Sequence, residues 1–278
     1  MSAVKPTRPA LRWHGGKWIL APWIISHFPK HQAYVEPFGG AGSVLVRKQP
    51  SYAEIYNDLD QSVVNLFRVL RSERAPELLA GLRLTPFARV EFEQAYQDCD
   101  DPVERARRLI IRSFMGFGSN GHNKPTGFRA NSNRSGTTPS HDWVNYPESL
   151  ALIVERIRGV TIECKDAKAI MAQHDAPTTL HYVDPPYVFE TRADLQNDYA
   201  HELTDGDHAE MLTFLRGLRG MVILSGYPCA LYDDALPDWQ RVERKAHADG
   251  ARERTEVLWI NPAGTAGVSS GPLFEAAA

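Results

Sequence analysis

The sequence has few cysteines and no long apolar run. Its three cysteines, Cys99, Cys164 and Cys229, are scattered and show no metal-binding spacing. We therefore expect no disulfide or zinc framework, and a reducing cytoplasm fits the composition. Residues 1–9 lack an apolar signal core, and no stretch approaches the roughly 18 apolar residues that a membrane helix needs. We predict a cytoplasmic protein without a membrane anchor.

An excess of positive charge is also absent. The formal net charge of the 278 residues is −3, so no global basic field indicates a nucleic-acid partner. The exception is local, because the stretch from Arg105 to Arg134 contains cations and no acid. Its cations are Arg105, Arg107, Arg108, Arg112, Lys124, Arg129 and Arg134. Phe114, Phe117 and Phe128 are interleaved with them, a combination that suits DNA phosphates and base edges.

The most informative motif follows the apolar run Thr179–Val183, which predicts a buried strand. Pro185 has no backbone N–H, and Pro186 keeps the residue before it out of the helical region. The strand should therefore end at Asp184 and continue into a stiff, extended turn. Ligands bind at this end of the strands in open α/β sheets. Asp184 and the Pro185 carbonyl could accept both hydrogens of a planar NH2 group, while Tyr187 stacks on its ring.

A second motif joins a short strand, Ala33–Glu36, to a glycine-rich turn and a helix over Val44–Lys48. This order is typical of a nucleotide-binding βα unit. Leu45 occupies the place of the third glycine of the dinucleotide fingerprint, which argues against a nicotinamide or flavin oxidoreductase. A second strand, Glu54–Asp58, ends in an acid near the position of a ribose-binding carboxylate.

The pattern changes between residues 72 and 158, where it predicts helices and a long loop without alternating strands. Thr85-Pro86 and Asp101-Pro102 both predict helix starts, and Glu104 should complete a capping box with Asp101. The stretch from Gly116 to Gly136 is rich in Gly, Asn and Ser and predicts a mobile loop or hairpin.

The regular alternation of strands and helices resumes after residue 158. We expect a loose tail after Pro262. The other predicted elements are helices Trp18–His27, Ala167–His174 and His208–Arg216, and strands Val160–Cys164, Met221–Ser225, Trp239–Ala246 and Thr255–Ile260, the last two antiparallel.

Three motifs, in this order, resemble those of the Dam-type DNA adenine-N6 methyltransferases. They are Trp13-His14-Gly15-Gly16-Lys17, the segment from Glu36 to Val44, and Asp184-Pro185-Pro186-Tyr187. The resemblance implies an α/β fold of the Rossmann-like, S-adenosylmethionine-dependent methyltransferase type, with a mixed, mostly parallel sheet and helices on both faces. It also implies a catalytic domain of residues 1–71 and 159–278, with a mainly helical target-recognition insert at residues 72–158.

The resemblance further implies S-adenosylmethionine as methyl donor and S-adenosylhomocysteine as product. No metal is needed, because the sulfonium methyl group is already activated. Cofactor contacts would come from Trp13, Lys17, Glu36, Phe38, Gly39, Gly40, Gly42, Asp58, Asp166 and Asp184. Of these, Glu36 and the turn from Phe38 to Gly42 would hold the methionine part, and Asp166 would recognise the adenine amino group of the cofactor.

The catalytic residues would be Asp184, Pro185, Pro186 and Tyr187, acting on an adenine that has flipped out of double-stranded DNA. The expected DNA contacts are Arg112, Phe117, Asn120, Lys124, Arg129 and Arg134, and we expect a monomer. GATC-specific relatives carry a segment like Asn-Arg-Tyr-Gly-Tyr-Asn-Gly. The nearest segment here, from Ser113 to Gly121, lacks the Asn-Arg pair, so the sequence does not establish GATC as the site. It also does not distinguish a restriction-modification enzyme from a solitary or phage-borne one.

On the residues alone, other interpretations of the function stay open. An Asp-Pro-Pro-Tyr turn suits any planar amino nitrogen, so an N4-cytosine, RNA-base or protein-glutamine methyltransferase is an alternative. The resemblance of the Trp-x-Gly-Gly-Lys segment to that of the Dam-type enzymes favours adenine in DNA. A non-enzymatic DNA-binding module would not need both a cofactor pocket and this turn.

Overall fold

The computed structural model describes residues 5–118, 125–131, 136–192, 201–247 and 253–269. Within these ranges, no helix is long and apolar enough to cross a bilayer. The elements, in chain order, are α1 Ala21–Ile25, β1 Ala33–Glu36, α2 Ser43–Arg47, β2 Ala53–Asn57, α3 Gln61–Leu70, α4 Ala75–Leu84, α5 Arg89–Gln94, α6 Pro102–Met115, α7 Pro139–Val144, α8 Tyr146–Arg156, β3 Val160–Glu163, α9 Ala167–Gln173, β4 Thr179–Val183, α10 Asp205–Arg216, β5 Met221–Gly226, α11 Ala230–Ala235, β6 Gln240–His247, β7 Glu253–Ile260 and α12 Pro262–Ser269.

The strands form a seven-stranded sheet of order β3-β2-β1-β4-β5-β7-β6. β1 pairs in parallel with β2 and β4, and β4 pairs in parallel with β5. β7 is antiparallel to both β5 and β6. The predicted mixed, mostly parallel sheet and the antiparallel late strands are therefore confirmed. The order reverses between β1 and β4, which is where open α/β sheets bind their ligands.

The strands that carry the main motifs begin and end close to the predicted residues. β4 ends at Val183, immediately before Asp184 and the two prolines, as predicted. β4 and β5 are buried along their whole length, as apolar runs in parallel sheets require. Helices α2, α9 and α10 also lie close to where the pattern predicts them.

The predicted tail after Pro262 is wrong, because residues 262–269 form α12. The side chain of Asn261 explains the helix start. Its Oδ1 accepts hydrogen bonds from the backbone N–H groups of Gly264 and Val222, both at 2.9 Å, and its Nδ2 donates to the Gly220 carbonyl. A buried amide thus joins β5 to the first turn of α12.

Three predictions near helix ends need correction. The helix expected over Trp18–His27 spans only Ala21–Ile25, and the Ser26 hydroxyl donates back to the Trp23 carbonyl just beyond its end. Thr85 ends α4 rather than starting a helix, because its hydroxyl donates to the Gly81 carbonyl.

Asp101 does cap α6, accepting the Glu104 N–H at 2.8 Å. The Glu104 carboxylate, however, binds Arg107 and Arg108 instead of completing the predicted capping box.

The chain divides into two compact units. The sheet unit comprises residues 19–39, 48–59 and 163–278, and the helical unit comprises residues 1–18, 40–47 and 60–162. In this division, α3 and the N-terminal segment group with residues 72–158. The reason is that the apolar stripe of α3 packs against α6. The functional roles predicted for the two domains remain predictions.

Each unit has its own core. In the sheet unit, apolar side chains of β4, β5, β7, α9, α10 and α11 form one buried cluster. In the helical unit, the rings of Phe114 and Tyr146 lie 4.2 Å apart, and the Tyr146 hydroxyl donates to the Ala10 carbonyl. Ala10 and Leu11 are buried there, which places the Trp13 motif on the helical unit.

Candidate functional site

Acidic side chains follow four neighbouring strands of the sheet, β3, β2, β1 and β4. Glu36 is the last residue of β1, Asp58 follows β2 directly, Asp166 comes shortly after β3, and Asp184 follows β4 directly. The carboxyl ends of β1, β2 and β4 meet at one edge of the sheet because these strands are parallel. That edge therefore carries several of the predicted cofactor and catalytic residues.

Glu36 is almost fully buried at the end of β1. Its Oε2 accepts a hydrogen bond of 2.7 Å from the hydroxyl of Tyr34, two residues earlier on the same face of the strand. Burial raises the pKa of Tyr34 well above its usual value, and the charge of Glu36 raises it further. Tyr34 therefore stays protonated and holds the Glu36 carboxylate in place.

The turn after β1 has backbone angles that favour glycine. Gly40 and Gly42 have φ values of +46° and +62°, a region that is strained for residues with a Cβ atom. The N–H of Gly39 donates to the Asn57 carbonyl at 2.8 Å, which holds the turn against the end of β2. The predicted nucleotide-type turn is thus formed by the glycines that the sequence indicated.

Asn57 is a residue of this edge that the sequence reasoning missed. Its side chain is fully buried, donates to the carbonyls of Pro37 and Lys165, and accepts the Lys165 N–H at 2.9 Å. It therefore connects the segments that carry Phe38 and Asp166. A signal existed in the sequence, because an amide at the end of a buried strand must find hydrogen-bond partners.

Asp58 and Asp166 differ in their surroundings. Asp58 is half-buried, and its N–H lies 3.4 Å from the Glu163 carbonyl. Asp166 is exposed, and its Oδ1 caps α9 by accepting the Ala169 N–H at 2.9 Å. The cap explains why α9 begins at this point of the chain. The cofactor roles predicted for both carboxylates remain predictions.

Tyr187, the last residue of the Asp-Pro-Pro-Tyr turn, is held both at its backbone and at its side-chain hydroxyl. The carbonyl oxygen of Tyr187 accepts hydrogen bonds from Nε and Nη2 of Arg192, at 2.8 and 2.6 Å, and Arg192 forms a two-pronged ion pair with Glu202. At the other end, the Tyr187 hydroxyl donates to the buried Glu256 carboxylate. Asp184 is partly exposed beside this fixed turn, while Pro185 and Pro186 are buried.

The Tyr187 ring is 6% exposed and meets the Tyr227 ring edge to face, with centroids 4.6 Å apart. Burial raises the pKa of Tyr187 well above its usual value, and the charges of Asp184 and Glu256 raise it further. Tyr187 is therefore a hydrogen-bond donor throughout the working pH range. Three residues of this site were not predicted, because they lie on or directly after later strands with no recognisable motif: Ser225 on β5, Tyr227 just after it, and Glu256 on β7.

In the helical unit, the Trp13 motif forms a tight turn. Gly15 has a φ of +69°, and the Gly16 N–H donates to the Trp13 carbonyl at 3.0 Å. The Lys17 ammonium is buried and donates to the Gly15 carbonyl at 2.6 Å. A Cβ atom on Gly40 would lie 2.7 Å from Nε1 of Trp13. Within the helical unit, Trp13 of the first motif therefore lies against Gly40 of the second.

The two described ends of the segment from Gly116 to Phe128, called the hairpin below, pair with each other. Gly116 and Phe128 form an antiparallel bridge, and the Phe117 N–H donates to the Gly127 carbonyl at 2.7 Å. The Phe117 side chain is 72% exposed, although it is large and apolar. Of the predicted DNA contacts, Asn120, Lys124 and Arg134 lie outside the described residues.

Several cations of the basic stretch contact the helical unit itself. Arg112 donates to the Ala95 carbonyl and lies over the Tyr96 ring, and burial lowers the pKa of its guanidinium. Arg129 donates to the Phe114 carbonyl at 2.8 Å. Arg107 and Arg108 share the Glu104 carboxylate. These contacts give the four arginines structural roles, and DNA contact by Arg112 and Arg129 remains a prediction.

The residues at the sheet edge fit S-adenosylmethionine. Carboxylates after successive strands suit ribose hydroxyls and an ammonium group, and the glycine turn leaves room for close backbone approach. Among the described residues, no group of three or more His, Cys, Asp and Glu side chains is arranged to hold a metal ion.

Comparison with known proteins agrees with this geometry. The chain is 28% identical over 193 residues to the DNA adenine methylase of Salmonella typhi, and equally so to that of Escherichia coli (strain K12), with 66% of each chain covered. It is 25% identical over 217 residues to the DNA adenine methylase of Vibrio cholerae serotype O1, covering 75% of this chain and 76% of that protein. The match thus spans slightly less than two thirds of the Salmonella and E. coli proteins. The sequence also matches a protein family over residues 13–247, from the first motif to the end of β6, and the chain therefore belongs to the D12 class N6 adenine-specific DNA methyltransferases.

Proposed function

We propose that the protein transfers a methyl group from S-adenosylmethionine to the N6 atom of an adenine in double-stranded DNA, leaving S-adenosylhomocysteine. Family membership supports adenine and DNA, and the relatives carry the name DNA adenine methylase. The alternative amino-group substrates, N4 of cytosine, an RNA base and a protein glutamine, are not favoured by these matches.

The observation that carries the proposal is the position of Asp184. It follows β4 at the point where the strand order reverses, and two buried prolines come after it. The Asp184 carboxylate and the Pro185 carbonyl can accept the two hydrogens of an adenine amino group. These hydrogen bonds would favour a pyramidal nitrogen and stabilise the positive charge that develops on it.

For the cofactor, we propose contacts from Glu36, Phe38, Gly39, Asp58, Asp166 and Asp184. When bound, S-adenosylmethionine supplies a methyl group that its sulfonium already activates, so we propose no metal ion. We assign Trp13, Lys17, Gly40 and Gly42 to the cofactor on their motifs alone.

The N6 atom of a paired adenine cannot reach a donor inside the protein, so the base must leave the helix. We propose that Tyr187 then stacks on it, and that Arg112, Phe117, Asn120, Lys124, Arg129 and Arg134 contact the surrounding DNA. The exposed ring of Phe117 supports this role for the hairpin. We propose a monomer that acts in the cytoplasm.

The test is incubation of the purified protein with methyl-labelled S-adenosylmethionine and, separately, unmethylated duplex DNA, RNA and protein. Label should enter duplex DNA as N6-methyladenine. Asp184→Ala should lower turnover by about 10²- to 10³-fold, the range for losing one preorganised charge-stabilising group. Asp238→Ala is the matched control, because this exposed carboxylate pairs with Arg216. Label on cytosine, RNA or protein, or unchanged turnover of a folded Asp184→Ala variant, would overturn the proposal.

A further inference from the structure

A buried carboxylate lies behind the Asp-Pro-Pro-Tyr turn. Glu256, on β7, accepts hydrogen bonds from the hydroxyl of Tyr187 and from Oγ of Ser225, the latter at 3.0 Å. The two hydroxyl oxygens are 3.3 Å apart. β5 carries Ser225 and pairs with both β4 and β7, so the sheet itself brings the three side chains together.

Packing alone does not explain an acid at this position. Glu256 is 3% exposed, and Leu258 and Ile260, on the same face of β7, are buried and apolar. A carboxylate loses its hydration when it is buried, so an apolar residue would fill this position at lower cost. The hydrogen bonds that the acid accepts from Tyr187 and Ser225 offset part of this cost. Its role should therefore be sought in the groups that donate those bonds.

The hydrogen bond to Tyr187 acts on the orientation of the ring. The hydroxyl lies at the far end of the ring axis, so holding it fixes the direction of that axis. Tyr227 meets the ring edge to face at 80° and restricts its rotation, while Arg192 holds the backbone of the same residue. Hydrogen bonds to ionised acceptors are stronger than those between neutral groups. Glu256 therefore supplies the contact that fixes the tip of the ring.

We propose that Glu256 is a positioning residue for methyl transfer, which acts by holding the Tyr187 ring in the orientation that stacks on the flipped base. This inference rests on the proposed function. Glu256 itself need not touch the substrate, because its effect passes through the Tyr187 hydroxyl.

The test is a double-mutant cycle in the full chain, with kcat and KM measured on unmethylated duplex DNA. Glu256→Leu removes the acceptor and fills the space, Glu256→Gln keeps an acceptor oxygen, and Tyr187→Phe removes the donor. Glu256→Leu should lower kcat about tenfold or more, the effect of losing a hydrogen bond to a charged group. Glu256→Gln should restore most of the loss. In the Tyr187→Phe background, Glu256→Leu should lower kcat by less than about a further threefold, since the shared hydrogen bond is already absent.

Two further measurements on each variant separate a positioning role from a general loss of structure. They are the calorimetric affinity for S-adenosylmethionine and the melting temperature. Affinity should change by less than about threefold, because neither Glu256 nor the Tyr187 hydroxyl is a proposed cofactor contact. If Glu256→Leu does not fold, Glu256→Met serves as a second apolar variant. Independent, multiplying losses from Glu256→Leu and Tyr187→Phe would overturn the positioning role, as would unchanged kcat in folded Glu256→Leu. A wild-type protein without activity on DNA would instead refute the proposed function.

Discussion

The backbone of Gly39 lies directly against the ring of Tyr56, so that a Cβ atom at position 39 would overlap the ring carbons. Tyr56 is fully buried in β2 and cannot move aside without disturbing the sheet. Gly39 also donates its N–H to the carbonyl of Asn57, the next residue of the strand. The glycine at this position is therefore required by the packing of the turn on β2, independently of its backbone angles.

The first prediction follows from this contact. Gly39→Ala should destabilise the protein by about 1–3 kcal/mol, the usual cost of overpacking, because Tyr56 or the turn must shift. It should also weaken S-adenosylmethionine binding, since the turn is a proposed cofactor contact. Urea unfolding and calorimetry measure the two effects. Gly159→Ala is the control, because a Cβ there meets nothing within 4 Å. Equal stability of the two variants would contradict the packing argument.

Asp58 provides the second prediction. Asp58→Ala should weaken S-adenosylmethionine binding by roughly 1.5–3 kcal/mol, the range for hydrogen bonds to a charged group, without changing the fold. Calorimetric titration with the cofactor gives the affinity, and circular dichroism checks the fold. Asp238→Ala, which also removes one carboxylate from the sheet unit, should bind normally. Unchanged affinity of Asp58→Ala would remove this residue from the proposed cofactor site.

Two phenylalanines of the hairpin should behave in opposite ways. Phe117 is exposed, whereas Phe128 packs against the rings of Phe87 and Phe92. Phe117→Ala should leave stability within about 0.5 kcal/mol, as is usual for surface changes, and weaken binding to duplex DNA. Phe128→Ala should instead lower the free energy of unfolding, because it removes ring contacts. Fluorescence anisotropy with labelled duplexes and urea unfolding distinguish them. Normal DNA affinity of Phe117→Ala would argue against the hairpin as a DNA contact.

The last prediction concerns pH. His181 is fully buried in β4, and burial lowers its pKa to about 4, although Asp175 lies 3.6 Å away and opposes the change. In the unfolded chain the pKa is near 6.5, so the unfolded state binds the proton first as the pH falls. The stability associated with neutral His181 is thus present above about pH 6.5 and is lost progressively towards pH 4, by up to roughly 3 kcal/mol.

Urea unfolding of wild type and His181→Leu at several pH values between these limits tests this claim. Between pH 6.5 and pH 4, the free energy of unfolding should fall less in His181→Leu than in the wild type. His208, whose pKa is also lowered to about 4 mainly by burial, should account for some of the remainder. His141→Gln, at an exposed position, should retain the wild-type pH dependence. An unaltered pH dependence in His181→Leu would show that this histidine does not titrate on unfolding.

Much of the architecture was predictable, because local rules govern it. The prolines after Asp184 end β4, Asp101 and Thr204 cap α6 and α10, and the helical period of α3 places its apolar stripe in the core. These effects act within a few residues of the chain, so they can be recognised from the sequence. Helix α12 escaped prediction because its start depends on Asn261 binding the backbone of the distant β5.

The candidate site divides in the same way. The sequence by itself determined which acids end the parallel strands and where the glycine turn and the Asp-Pro-Pro-Tyr turn fall, because strand ends and turns depend on neighbouring residues. Only the tertiary structure decided that Asn57 connects two loops, and that Glu256 meets a tyrosine 69 residues away. The order and register of the strands set those pairings, and both depend on packing among residues far apart in the chain.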